Sequence, residues 1–408
     1  MADAPLAVTI ELARTTETDD PFAFAEGKQD YVVRLEGASF RQVSLEWGPK
    51  LYDALLEVRR PGRDPAAVAE LGTMLRRFLA EADWSDTEEE IEAAVAAGRG
   101  VILTIRSAAA ELFVLPFELV AMRVSGQHLG ALPGVVLRYA WPETATAAES
   151  PAPRLDDGRI LVAWSAAGGA VPAGDHVRAI ATAAAQGGVP FVPERDVLAS
   201  ASLRTLARAL ADPGAPPVAV LHLLAHGSRE GSVHGLTLDD GEGGRTLIDP
   251  AELRQLLAPH AGRLRLVVLS ACDSANSGAS GNALGSLSQT LHRAGIQAVL
   301  ASRFPLSTEG SRRFTRRLYH ELLVRPSSLE DAVRVARTEL LARPDELDWA
   351  AIQLYARPED GDDTRPIVVR PYRGLLPFGP EHTRFFFGRD GERRELVDDL
   401  AELDRQGK

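Results

Sequence analysis

Two apolar runs decide how this chain is read: residues 218–228 (VAVLHLLAHGS) and residues 264–274 (LRLVVLSACDS). Each has the length of a strand, is rich in Val and Leu, and ends in small residues. The first delivers His226 and Gly227, and the second delivers Cys272 and Asp273. Cys272 is the only cysteine among 408 residues. Near-continuous hydrophobic runs of this kind belong to parallel strands buried on both faces. A parallel sheet carrying both runs would place a thiol beside an imidazole at one edge.

Working outward, strands alternate with helices. Residues 160–164 read as a strand and 174–186 as a helix. A short extended piece follows at 191–193, then a helix at 200–211 capped by Ser200 or Ser202. After the histidine strand, 235–240 and 245–248 flank Gly-Glu-Gly-Gly and predict a hairpin. Asp249-Pro250 is an N-cap with proline at the first helical position, opening a helix to about Leu257. After the cysteine strand come a Gly/Ser-rich loop, a helix at 283–294 stopped by Gly295, and a strand at 297–301. Helices at 308–323 and 328–342 and an apolar run at 348–355 complete the pattern. The fold class is α/β: a mostly parallel sheet with helices on both faces.

The N-terminal region is β-rich, with strands at 7–14, 31–37 and 42–47. Helices follow at 66–82 and 86–97, the second with Asp86 as N-cap. Residues 101–106 predict a strand, and 112–120 (LFVLPFELV) another that ends at Pro116. A further strand is expected at 130–139. Residues 143–158 carry Ala, Pro, Glu and Asp without an apolar period and read as a linker or exposed loop. The expected organisation is a non-catalytic N-terminal subdomain at 1–142, the linker, and a catalytic α/β domain at 159–357. The composition changes again at 366–408, which ends in a charged helix and predicts a piece of a longer chain.

Composition bounds the function. The net charge is −12, from 45 basic and 57 acidic residues, which argues against nucleic acid or an anionic membrane as the partner. The apolar runs are too short to span a bilayer, and the N-terminus lacks the pattern of a secretory signal. A single cysteine excludes an intramolecular disulfide framework and a Cys-rich zinc site, and it fits a reducing, cytoplasmic setting. No metal or cofactor is expected.

A thiol with an ordinary pKa of about 8.5 is activated when an imidazole favours its thiolate. His226 is the candidate base and Cys272 the candidate nucleophile. The backbone N–H groups of Gly227 and Cys272 are candidate oxyanion donors. Asp273, beside the nucleophile, is a candidate for orienting substrate. Each residue also has a purely structural reading: a small buried thiol and a packed histidine. His222, four residues before His226, falls on the same face of a regular strand and reads as a core histidine. His234 falls in a loop.

The ordered set VLHLLAHG, VVLSACDS and GNALGSLSQTLHRAGIQAVLAS resembles the CHAT family of caspase-like peptidases, in the clan that includes caspases and separase (clan CD). LFVLPFEL is similar to the family's upstream L-P-W-E-L segment. SLEDAVRVARTELL and DWAAIQLY resemble its closing helix and final strand. The resemblance covers roughly residues 60–357. It implies a caspase-like cysteine endopeptidase, a hydrolase working by a His–Cys dyad that maps onto His226 and Cys272. The family's Trp-Pro-Val-Asp-Asp stretch is replaced by Ser302-Arg303-Phe304-Pro305-Leu306-Ser307-Thr308, so a basic P1 preference is not implied. Ser302, Arg303 and Phe304 are the substrate-binding candidates, with Arg303 either gripping an acidic side chain or standing as an exposed charge.

RPYRGLLPF and RFFFGRDGERREL resemble the opening of a STAND-type NTPase module, although no G-x-x-x-x-G-K-[ST] occurs in these 408 residues. That resemblance implies a sensor-switched peptidase of bacterial immunity or programmed cell death, acting on a partner protein such as a bacterial gasdermin or another neighbouring gene product. The competing class is a catalytically inactive caspase-like scaffold that transmits binding.

Overall fold

The computed structural model describes residues 4–16, 26–60, 62–142, 158–230, 233–271, 284–325, 327–357, 366–367 and 390–405. The chain opens with β1 (Leu6–Arg14), β2 (Gly27–Leu35) and β3 (Arg41–Trp47), followed by α1 (Pro49–Glu57), α2 (Pro65–Ala80) and α3 (Trp84–Ala96). Then come β4 (Val101–Ser107), β5 (Val135–Ala140), β6 (Arg159–Trp164), α4 (Ala173–Gly187), α5 (Pro193–Asp196), β7 (Val197–Leu198) and α6 (Leu203–Leu210). The central part is β8 (Val218–Glu230), β9 (Val233–Asp239), β10 (Arg245–Ile248), α7 (Pro250–Leu257) and β11 (Leu266–Ala271). The last elements are α8 (Leu284–Arg293), β12 (Ala298–Ser302), α9 (Thr308–Leu323), α10 (Leu329–Leu340), α11 (Asp348–Ala351), β13 (Ile352–Ala356) and α12 (Asp390–Arg405).

All described strands belong to one sheet, ordered β10-β9-β8-β11-β12-β13-β5-β4-β1-β2-β3, with β6 also on β8 and β7 on β6. The centre is mostly parallel: β8–β11, β11–β12, β6–β8, β4–β5 and β1–β4 all run in the same direction. Every residue of β12 and β13 is buried. Successive strand residues point to opposite faces, so both faces are covered there. The α/β architecture expected from the alternation is the one observed. The halves on either side of 143–158 share this sheet, joined where Leu354 and Tyr355 of β13 pair with Arg138 and Tyr139 of β5.

Local chemistry accounts for the helix boundaries. The Asp249 side chain accepts from the Glu252 N–H and Glu252 reaches back, closing a capping box with Pro250 at the first position. Ser202, not Ser200, caps α6, again as a capping box. Ser307 and Ser328 cap α9 and α10. Gly295, at φ 101°, ends the helix before β12.

Several expectations are corrected. LFVLPFELV is not a strand but two 3₁₀ turns, Ala110–Val114 and Phe117–Leu119. Its apolar residues are buried because the segment packs beneath the sheet, where Gln289 and Gln353 donate to the Ala110 and Phe113 carbonyls. Asp83 rather than Asp86 occupies the N-cap position of α3, leaving Asp86 in the first turn beside the positive helix end. Residues 193–196 form a helical turn, tied by the Val192 N–H donating to Asp196. Helix α1, a short helix with Pro49 at its first position, was not among the expected elements. Residues 233–239, including His234, form a paired strand, not a loop. Apart from Gly158, the linker stretch lies outside the described residues, as does the RFFFGR part of the C-terminal segment.

Candidate active site

His226 lies where β8 changes partners. Up to Leu224 and Ala225 the strand pairs in parallel with β6 and β11. From His226 onward it pairs antiparallel with β9, His226 opposite Thr237 and Gly227 opposite Leu236. The strand therefore does not end at the histidine as the sequence suggested. His226 thus stands at the carboxyl end of the parallel part of β8, the edge of the sheet on which α/β sites usually lie.

The imidazole is nearly buried, with 8% exposed. Its Nε2 is 3.1 Å from the Ala170 carbonyl oxygen. A carbonyl only accepts, so Nε2 carries the proton, and in the neutral ring Nδ1 holds the lone pair. The loop after β6 makes this contact possible. A Cβ on Gly168 would sit 2.8 Å from the His226 Cβ, and one on Gly169 3.0 Å from Nε2. Gly169 also adopts φ +138°, a conformation that glycine alone takes without strain. Beside the ring, the Ser228 and Thr237 hydroxyls share a 2.5 Å hydrogen bond.

Cys272 and Asp273 lie outside the described residues. The described part of β11 ends at Ala271, in register with Ala225. In the sequence the next residue on one strand is His226 and on the other Cys272.

The substrate-edge candidates point inward. Ser302 is 4% exposed, Arg303 5% and Phe304 3%. The Ser302 hydroxyl donates to the Phe304 carbonyl at 2.7 Å, and the Arg303 N–H donates to the Ala351 carbonyl at 2.7 Å. The Arg303 guanidinium donates to Glu118 at 2.6 Å and to the Tyr139 hydroxyl at 2.8 Å, and that hydroxyl donates to Glu118 at 2.9 Å. Burial opposes the charge on Arg303, but Glu118 and Tyr139 outweigh it, and its pKa is raised. The reading of Arg303 as an exposed charge is thus corrected: the side chain is buried, with one donor on the Glu118 carboxylate and another on the Tyr139 hydroxyl. Farther along, the Ser307 hydroxyl and N–H both bind the Asp348 carboxylate.

His222 is fully buried and hydrogen-bonded to His176 and Tyr319, as a core histidine. Sequence reasoning missed the Gly168-Gly169 shelf, the Ala170 carbonyl, and the roles of Glu118 and Tyr139. The signals were a glycine doublet just past a strand and a carboxylate inside an apolar run, which requires a buried partner.

This geometry defines an α/β chain with a tautomer-fixed histidine at a sheet's pairing switch. The CHAT domain matches residues 87–357, and the chain belongs to that family. Its structure is similar to the Arg specific cysteine proteinase gingipain R (RGPB), at 12% identity over 78% of this chain and 75% of that chain, TM-score 0.44. It is also similar to the RgpB pro- and mature-domain complex of Porphyromonas gingivalis, at 12% identity over 78% and 76%, TM-score 0.42. The Saccharomyces cerevisiae separase–securin complex matches at 15% identity over 63% of this chain but 15% of that chain, TM-score 0.36. No match is found among curated proteins. Among the described residues, no helix is long and apolar enough to cross a membrane.

Proposed function

We propose that this chain is a cysteine endopeptidase in which His226 is the general base and Cys272 the nucleophile. The observation that carries the reading is the parallel register of Ala225 with Ala271, one residue short of His226 and Cys272 respectively. The Ala170 carbonyl supports it by holding the proton on Nε2. Nδ1 of His226 then accepts the Cys272 proton as sulfur attacks the scissile carbonyl carbon. The backbone N–H groups of Gly227 and Cys272 stabilise the oxyanion. As the C–N bond breaks, the imidazolium returns its proton to the leaving amine, leaving an acyl-thioester. Water, deprotonated by His226, then releases the acid and restores the thiol.

The substrate is a partner protein, such as a bacterial gasdermin or another product encoded beside this chain's gene. Residues 366–408 lead toward a sensor or STAND-type NTPase region that switches the peptidase in cytoplasmic bacterial defence or cell death. The test is to incubate the chain with proteins encoded beside its gene, using Cys272→Ala as control. Cleavage by the wild type alone supports the assignment. A cut that persists in the variant sinks it, and failure of a cysteine-reactive peptide probe to label the chain under any activating condition favours the inactive scaffold.

A further inference from the structure

Behind the histidine strand a buried hydrogen-bonded chain crosses from α9 through β8 and α4 to the end of β11. The Tyr319 hydroxyl is 3.1 Å from His222 Nδ1, and His222 Nε2 is 2.9 Å from His176 Nδ1. His176 Nε2 is 3.1 Å from the Ser311 hydroxyl, which is 3.0 Å from that of Ser270. Thr315 Oγ1 lies 3.2 Å from His176 Nδ1. His176, His222 and Tyr319 are each 0% exposed, and Ser311 is 1% exposed. Ser270 stands two residues before Cys272.

The direction of this chain can be deduced. Among the described residues, the only hydrogen-bond partner of the Tyr319 hydroxyl is His222 Nδ1. A buried O–H left without an acceptor costs roughly 1–3 kcal/mol, so Tyr319 donates and Nδ1 accepts. His222 must then carry its proton on Nε2 and donate to His176 Nδ1. His176 in turn carries its proton on Nε2 and donates to Ser311, whose hydroxyl stands 3.0 Å from that of Ser270. The reverse polarity strands the tyrosine proton. Burial lowers the pKa of both rings, that of His176 to about 4, so both are neutral at physiological pH and one tautomer each is required.

We infer that Tyr319, His222, His176 and Ser311 form a relay of fixed polarity that positions Ser270 and the end of β11, making His176 and Ser311 positioning residues for the strand that delivers Cys272. This rests on the proposed role of Cys272. Nothing in a packed core requires two adjacent histidines and four hydroxyls, whereas apolar residues of the same volume would cover the sheet without polar burial. Aligned donors of this kind polarise one another, and a break at either end is felt along the chain.

Two measurements on the full chain test it. Long-range ¹H–¹⁵N NMR of histidine-labelled wild type should show both His176 and His222 as the Nε2–H tautomer; Nδ1–H in either ring overturns the polarity. The rate of Cys272 alkylation by iodoacetamide is then followed against pH in Tyr319→Phe, Ser311→Ala and Ser311→Thr, each checked for folding by circular dichroism. Removing one link should slow alkylation at neutral pH by about five-fold, the weight of one net hydrogen bond, and Ser311→Thr should restore it. Folded Tyr319→Phe and Ser311→Ala proteins with unchanged alkylation profiles would overturn the positioning role. Cleavage surviving in Cys272→Ala would instead remove the nucleophile assignment and leave the tautomer result standing.

Discussion

Ala225 on β8 and Ala271 on β11 are partners in a parallel register, so the two strands reach the carboxyl edge of the sheet in step. That register places His226 at the position where β8 changes from parallel to antiparallel pairing. On the proposed mechanism, His226→Ala and Cys272→Ala should each lower the cleavage rate by at least 10²–10⁴-fold, the usual weight of positioned acid–base catalysis. Neither should shift the urea midpoint by more than a small amount. Single-turnover cleavage of a partner protein, followed by gel, is the measurement.

The glycine shelf predicts a sharper effect from a smaller change. Gly169→Ala forces a side chain into φ +138° and within 3.0 Å of His226 Nε2. The ring must rotate or the loop must retreat, and either breaks the bond to Ala170. The expected outcome is a drop in kcat of roughly ten-fold or more, since misplacing a reacting group by about 1 Å can cost 10²-fold. KM should change little, which steady-state kinetics on a cleaved peptide would show.

Glu118 governs the buried arginines. Its carboxylate binds Arg303, and Arg337 Nη2 lies 4.0 Å from its other oxygen. Glu118→Ala leaves guanidinium charge in the core without its partner and should destabilise by about 3–5 kcal/mol. Replacing both members, as in Glu118→Leu with Arg303→Met, should cost less than the single change. Chemical denaturation of Glu118→Leu, Arg303→Met and the double variant, each against the wild type, closes the double-mutant cycle. A double variant less stable than Glu118→Ala would show that the pair is worth more than its desolvation.

Acid should loosen the fold before most carboxylates titrate. Burial lowers His176 to about 4 and, with repulsion from Arg357, His292 to about 3; His222 is also well below 6.5. The unfolded rings bind protons near pH 6.5 while the folded ones refuse them, so unfolding free energy falls as pH drops below 6.5. The loss runs down to about pH 4 for His176 and about pH 3 for His292. For His176 alone it amounts to something on the order of 3 kcal/mol. Thermal melts between pH 7.5 and 4 should show it, and a flat Tm across that range would contradict the buried neutral rings.

Much of the architecture was legible because the signals are local. A short apolar run such as that of β12, set off from the preceding helix by Gly295, reads as a strand covered on both faces, and Asp249-Pro250 or Ser328 announces a helix start through its own hydrogen bonds. The failures lie where local pattern and tertiary packing disagree. LFVLPFELV has a strand's composition, yet Pro116 lacks a donor, the backbone bonds mainly within its own 3₁₀ turns, and the Phe113 carbonyl is satisfied by Gln353 from a distant element. Arg303 read as either a grip for an acidic substrate side chain or an exposed charge, because its partner is not near it in sequence. Glu118, which binds it, is 185 residues away.

The same division holds at the candidate site. The sequence by itself determined that one strand carries His226-Gly227 and another leads to Cys272-Asp273, since hydrophobic runs and their ends depend only on neighbouring residues. Only the tertiary structure decided that Ala225 and Ala271 are in step, that the Ala170 carbonyl selects the His226 tautomer, and that His222 belongs to a buried relay. Those relationships join residues tens of positions apart. Their energies come from geometry and desolvation that exist only once the sheet has closed around them.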